Sequence, residues 1–405
     1  MRHFVQTLLC LTPVLFAGCN DNNSNASNNN NTVPTPAPVS AKFSMAVIGD
    51  QPYGTSPTDT VLFDANPAFI SKINADTDVS MVLHAGDIHS GKQYCTLSYN
   101  LAVRDQYLKF KTPLIYTPGD NEWSDCHKAA QGGGVYNATT NAIDYKLDST
   151  GQLIDYAGGD PASNLDLVRN IFFPNPGKAF GSGMDVHSQA LEYDTAFPTD
   201  KNYVENVWVE KSGVMMLTLN IPGGSNNDTD PWYGAPTMSP VQAQEVANRS
   251  AANLRWLDVA FKKAKANGDA AVVIMAQADM WDVDGKSPAH LTQYKQFLDR
   301  VASQSIAFGK PVLMINGDSH SYRSDNPLMQ KAPCVIEPSA GVTATACSND
   351  AYDSQPNGYS ISNFHRIVVH GSTAPLEWLK LTVDPVQNVS ASANAFGPFT
   401  WTRMH

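Results

Sequence analysis

The sequence predicts an α/β protein whose sheets are covered on both faces, and three observations carry that prediction. Short apolar runs alternate along the chain with stretches of helical character. The runs are continuous in Val, Ile, Leu and Met and do not alternate with polar residues, as expected of strands buried on both sides. Four of them end on the same dipeptide, Gly-Asp, and in open α/β sheets the carboxyl edge of the strands is where ligands bind.

In chain order, "KFSMAVIGD" (42–50) is the first strand and "DANPAFISKINAD" (64–76) the first helical stretch. "DVSMVLHAGD" (78–87) and "PLIYTPGD" (113–120) are strands that bracket the helical "LAVRDQYLKFK" (101–111). "VMMLTLN" (214–220) and "AAVVIMAQAD" (270–279) are strands on either side of a long helical stretch at 239–268. A further helical stretch (290–305) precedes the strand "KPVLMINGDSH" (310–320), and "FHRIVVHGSTAPLEWLKLTVDP" (364–385) fits closing strands. Between about 124 and 206 the pattern dissolves into Gly, Asn, Asp and aromatic residues. That is too long for a plain loop and is expected as an insertion beside the site. There is no internal repeat and no Rossmann or P-loop glycine pattern.

Composition narrows the function classes. The 405 residues are 42% hydrophobic, with 7 Trp, 15 Tyr and 16 Phe, enough for a sizeable core. A formal charge of −11 disfavours nucleic acid and anionic membrane surfaces and favours cations as partners.

The first residues read as an export signal. "MRHFVQTLLCLTPVLFAGC" has a basic start, an apolar stretch too short to span a membrane, and small residues before Cys19. Phe-Ala-Gly-Cys resembles a bacterial lipobox. This implies a signal at 1–18, cleavage before Cys19, a lipid on that cysteine, and a chain exported and anchored to a bacterial membrane; an ordinary signal cut nearby is the alternative. Residues 19–41 are Asn- and then Pro-rich, too polar to offset their ordering entropy, and read as a tether to a domain at 42–405. Cys95, Cys126, Cys334 and Cys347 remain, an even number in an exported chain, which suggests two disulfides. Proximity favours Cys334–Cys347 with Cys95–Cys126 as the other pair; buried free thiols are the alternative.

Asp50, Asp87, Asp120 and Asp318 follow the four Gly residues and are expected to converge on one crevice. Clustered carboxylates raise one another's pKa and cannot all ionise unless a cation neutralises them, so a metal site is expected. The blocks "GDQP", "GDIHSG", "GDNEW", "IMAQAD" and "GDSHSYR" resemble, in order, those of the calcineurin-like metallophosphoesterases over about residues 43–322. The resemblance implies a four-layer sandwich of two mixed sheets flanked by helices, and hydrolysis of phosphate esters by metal-activated water.

Carried over residue by residue, it makes Asp50 and Asp87 metal ligands, Asp87 bridging, with Asp120, Gln277, Asp318 and His320 completing the set. The departures are chemical. Pro52 stands at a ligand histidine position. Asp120 replaces an asparagine, Asn121 replaces the histidine assigned to leaving-group protonation, and Gln277 and Asp318 replace histidines. Oxygen donors thus mostly replace imidazoles, which points to Mg²⁺, Mn²⁺ or Ca²⁺, or to no metal at all if the site has degenerated. His320 is the matched imidazole, as ligand or as acid.

Secondary candidates are His89 and His127 for the missing acid, and Glu122 as a support of the turn. Asn220 is a candidate to orient a ligand, Tyr322 and Arg323 to contact phosphate, and the loop 223–234 as a calcium loop or a simple turn. There is no Gly-x-Ser-x-Gly elbow. The expected function is an extracytoplasmic metal-dependent phosphoesterase. The alternatives are a catalytically degraded relative that binds a ligand or surface polymer, and a structural lipoprotein holding calcium.

Overall fold

In the computed structural model the apolar runs pair into two large mixed sheets. The structure describes residues 41–181, 183–282, 291–339, 343, 345–348, 350–356 and 358–405. The expected signal, Cys19 and the tether up to residue 40 lie outside them; the residues from 41 onward fall in one unit, Ser40–His405.

The first sheet is built on β1 (Phe43–Ile48), β2 (Val79–His84) and β3 (Leu114–Tyr116), which run parallel. β15 (Trp378–Val383) pairs antiparallel with β1 and is followed by β18 (Phe399–Met404), β17 (Ala395–Gly397) and β16 (Val389–Ser392). In the second sheet β8 (Val214–Thr218), β9 (Ala271–Met275), β10 (Val312–Asn316) and β14 (Phe364–Val368) are parallel. One flank adds β11 (Tyr322–Asp325), β12 (Pro333–Glu337) and β13 (Thr345–Ser348), and the other adds β7 (Val207–Lys211) and β6 (His187–Ser188).

Why the runs are apolar on both faces is visible in where alternate residues go. Met45 and Val47 of β1 point between the sheets, whereas Ala46 and Ile48 point to the outer helices α1 (Val61–Ala75), α2 (Leu97–Tyr107) and α3 (Pro161–Phe172). In the second sheet Val273 and Met275 face the first sheet, and Val272 and Ile274 face α4 (Pro240–Asn267) and α5 (Lys295–Phe308). Three apolar interfaces therefore separate four layers: helices, sheet, sheet, helices. A one-residue slip of β1 would exchange its two apolar sets, small Ala46 for large Met45, which pins the register.

The long helices start and stop on side-chain chemistry. Ser239 accepts from the Gln242 amide at the start of α4, Pro240 follows at the first helical position, and Gly268 ends it in the left-handed region. Asp160 caps α3 in the same way, with Pro161 next.

That helix lies inside the stretch expected to be a patternless insertion. Leu167, Val168, Ile171 and Phe172 of α3 belong to the outer core of the first sheet, so this part of 124–206 completes a main layer. The same stretch carries a separate hairpin, β4 (Gly134–Asn137) with β5 (Ala142–Tyr145). It then runs along the edge of the first sheet, where Phe180 bridges to Leu114, before joining the edge of the second through β6.

Both expected disulfides are formed. Cys95–Cys126, with Cα atoms 5.7 Å apart, ties the loop after β2 to the loop after β3. Cys334–Cys347, with Cα atoms 5.0 Å apart, joins directly opposed residues of β12 and β13. No helix among the described residues is long and apolar enough to cross a membrane.

Candidate metal centre

The turns after β1, β2, β3 and β10 meet at one cleft between the carboxyl ends of the two sheets. The Asp318 amide donates to Asp50 Oδ1 at 2.9 Å, across the sheet-to-sheet boundary. Gln277, after β9, donates from Nε2 to Asp87 Oδ2 at 3.2 Å and to Asp120 Oδ1 at 3.0 Å. Carboxylate oxygens of Asp318 and Asp120 lie 2.6 and 2.9 Å from where a β-carbon on Gly223 would stand. All four Gly-Asp aspartates are thus brought together, with His320 among them: ligand atoms of Asp50, Asp87 and His320 lie within 4.8 Å of one another.

The glycines of the motif have a packing reason. A β-carbon on Gly119 would stand 2.0 Å from Asp87 Oδ1, and one on Gly317 2.2 Å from Asp50 Oδ2. Each turn is pressed by the aspartate of a neighbouring turn, and only a residue without a side chain fits. Asp50, Asp87, Asp318 and His320 themselves take φ of 50°, 58°, 71° and 57°, a region costly for residues with a side chain.

Burial sets the electrostatics. It pushes the Asp87 carboxyl well above the ordinary aspartate range, and the charges of Asp120, Glu122 and Asp50 push the same way. Asp50 is also raised by burial, although the charge and hydrogen bond of His320 oppose this. Burial works against the charged form of His320, but Asp50, with Nε2 at 3.3 Å from Oδ1, outweighs it and holds the imidazole above its usual value. Asp50 Oδ2 is buried with no hydrogen-bond partner. Two buried carboxylates and an imidazole around one point, one oxygen unsatisfied, fit a single divalent cation with oxygen preference.

The expected residues do not all play the expected parts. Asn121, at the acid's position, donates from Nδ2 to Asp87 Oδ2 at 2.8 Å and from its amide to Asp87 Oδ1 at 3.1 Å; it orients the carboxylate and has no proton to deliver. Gln277, expected to offer oxygen to a metal, turns its nitrogen to the carboxylates because its oxygen accepts from the Gly223 amide at 2.5 Å. Glu122 supports the turn, accepting from the Gly119 amide at 2.7 Å, the Asp87 amide at 3.2 Å and the Tyr116 hydroxyl.

His89 and His127 are held by burial at pKa values of about 4, so neither keeps a proton near neutrality. His127 does stand beside Asp125 and Asp230, but Lys128 already pairs with those two carboxylates, at 2.7 and 3.3 Å. Asn220 donates to Glu205 at 2.8 Å, a structural contact. Tyr322 belongs to the core between the sheets and accepts from Trp401 Nε1 at 2.8 Å, and Arg323 beside it is fully buried, so neither is a phosphate contact. In the loop 223–234, Asn226 and Asn227 are bonded to Arg249 and Glu245 of α4, a turn and not a calcium loop.

Three contributors escaped the sequence reading. Tyr53, next to Pro52, donates to Asp87 Oδ2 at 2.6 Å and accepts from Asn121 Nδ2 at 3.0 Å; its ring stands edge-on to His320. Burial and the Asp87 charge keep its hydroxyl protonated. Ser372, in the loop after β14, meets His320 Nδ1 at 2.9 Å. The Asp279 amide donates to Asp318 Oδ2 at 3.1 Å, while the Asp279 carboxylate is clamped by buried Arg366, which also pairs with Asp325 at 2.7 Å. Asp279 closes the quoted "IMAQAD" block; Tyr53 and Ser372 had no motif to announce them.

No protein-family model and no curated protein sequence matches this chain. Among solved structures, one described as the structure of PhoD aligns with a TM-score of 0.44 at 11% identity, over 85% of this chain and 64% of that one. A purple acid phosphatase isolated from yellow lupin (Lupinus luteus) seeds aligns with a TM-score of 0.39 at 12% identity, over 89% of this chain and 53% of that one. The chain spans less than two thirds of the length of either structure.

Proposed function

We propose that this chain is an extracytoplasmic, metal-dependent phosphoesterase acting at the strand-end cleft. The observation that supports it is the meeting of Asp50, Asp87, Asp120, Asp318 and His320 from separate strand ends, with Asp50 and Asp87 buried and raised by that burial. Asp50, Asp87 and His320 are the residues that would hold a divalent cation. The chemistry such an ion supplies when bound is charge at the phosphate oxygens and a lowered pKa for water.

Around it, Tyr53 and Asn121 fix the Asp87 carboxylate by hydrogen bonds and leave it little freedom to turn. Ser372 orients His320 at Nδ1 and leaves Nε2 turned to Asp50, the nitrogen that would meet the ion. The full chain should hydrolyse p-nitrophenyl phosphate or its diester with Mg²⁺, Mn²⁺ or Ca²⁺ and lose that activity in chelator. His320→Ala should lower metal affinity and turnover together, as loss of a ligand does; a fall in turnover alone would make the imidazole the acid.

One observation favours a second reading, in which the protein binds a ligand or surface polymer without turnover. The Asp87 carboxylate already accepts four hydrogen bonds from neutral donors, two from Asn121 and one each from Tyr53 and Gln277. Metal binding with no hydrolysis of either ester would select it. Export and anchoring rest on the leader pattern and Cys19. Cys19→Ser should release the protein into the soluble fraction, and unchanged membrane association would refute the anchor.

A further inference from the structure

The cleft holds two pairs of carboxylates that an ion could join, and the chain treats them differently. Asp50 and Asp87 face His320, and nothing of the chain among the described residues lies bonded between their oxygens as a bridging donor. Asp87 and Asp120 are joined by one atom, Gln277 Nε2, which donates to Asp87 Oδ2 at 3.2 Å and to Asp120 Oδ1 at 3.0 Å. An amide nitrogen with two hydrogens bonded to two carboxylates stands where a bridging cation would stand.

Its orientation is not a free choice between the two ends of the amide. Gln277 Oε1 accepts from the Gly223 backbone N–H at 2.5 Å, and a backbone N–H can only donate. Turning the amide to offer oxygen to an ion would set its NH₂ against that N–H and strip a buried donor of its acceptor. Gln277 is itself fully buried, and its backbone carbonyl accepts from the Gly317 amide at 3.0 Å, so the side chain springs from a fixed point.

We infer that this is a one-ion centre: Asp50, Asp87 and His320 take one divalent cation, and the Gln277 amide permanently replaces a second between Asp87 and Asp120. The inference rests on the metal-dependent reading above and departs from the two-ion arrangement that the motif resemblance implies. A one-ion site loses the clamp in which a second ion stabilises the leaving or attacking oxygen.

The test is ion stoichiometry in the full chain, with Mn²⁺ as the probe, by elemental analysis and electron paramagnetic resonance. One Mn²⁺ per chain with the six-line spectrum of an isolated ion is expected. Two per chain with an exchange-coupled spectrum would overturn the one-ion assignment and leave the metal-dependent reading intact; none per chain would overturn both. Gln277→Glu turns the bridging donor into an acceptor and should raise the count to two if it folds. A folded Gln277→Glu chain that still binds one ion would show that the amide is not what excludes the second.

Discussion

Two regions of this protein bury carboxylates within a few residues of each other and resolve the cost in opposite ways. Behind the cleft, Asp279 and Asp325 flank Arg366, all three buried, with Asp325 2.7 Å from the guanidinium. At the cleft, Asp50, Asp87 and Asp120 have no ion pair with a lysine or arginine among the described residues, and Asp50 Oδ2 has no partner. Where the chain needs a fixed scaffold it supplies its own cation, and burial is then tolerated. Where the turns converge it supplies only neutral donors and one imidazole, which leaves net negative charge for a cation from solution to meet. The two regions are coupled, because the Asp279 amide and the Arg366-clamped loop position Asp318.

The comparison can be broken most forcefully at the compensated end. Arg366→Met should cost about 3–5 kcal/mol of stability, because it strands two buried carboxylates, and urea unfolding would read it directly. A loss under about 1 kcal/mol would mean that Asp279 and Asp325 are not charged in the native state.

At the uncompensated end the sign should reverse. Asp50→Asn removes a buried charge, keeps an oxygen for the Asp318 amide, and suits the left-handed backbone at φ 50° better than aspartate does. It should therefore unfold at higher temperature than the unsubstituted chain in chelator. With Mn²⁺ at a hundred times its dissociation constant the unsubstituted chain should gain about 2.7 kcal/mol, and Asp50→Asn nothing. Destabilisation of metal-free Asp50→Asn would show that His320 alone already balances Asp50.

A third buried carboxylate sharpens the contrast through pH. Asp155, beside the Cys95–Cys126 bridge, has neither arginine nor cleft; both of its oxygens lack partners, and burial raises it to about 8. Its remedy is a proton. Below the ordinary aspartate range folded and unfolded chains both hold that proton; from there to about 8 only the folded chain does, so stability falls as pH rises across that window. The slope contributed is at most about 1.4 kcal/mol per pH unit. Asp155→Asn should flatten the stability–pH curve between pH 4 and 8, and an unaltered slope would place the carboxyl in contact with solvent.

Much of the site was legible because its residues are tied to strand ends. A Gly-Asp pair after an apolar run marks both the end of a strand and a turn too tight for a side chain, so Asp50, Asp87, Asp120 and Asp318 could be grouped before any contact was known. Tyr53 and Ser372 could not, since they reach the cleft from loops and are defined only by what they touch. Helix α3 was missed although Asp160-Pro161 announces its start, because the glycine-rich residues around it hid the apolar face of a 12-residue helix. Tyr322 was read as a phosphate contact from its place just after the Gly-Asp-Ser-His block, and strand pairing put it in the inter-sheet core.

By itself the sequence determined the layers of this protein, because continuous apolar runs and capped helices commit local segments to faces that must be buried, whatever their order in space. It also determined which carboxylates stand at strand ends, since that follows from the chain's own punctuation. Only the tertiary structure decided what those carboxylates face. Which end of the Gln277 amide turns to Asp87, and whether Arg366 or only neutral donors and an imidazole meet a buried aspartate, depends on atoms far apart in the chain. Gly223 lies 54 residues from Gln277, and Asp50 lies 268 from Asp318. Such contacts are chosen by packing and by hydrogen-bond polarity, and no local pattern carries either.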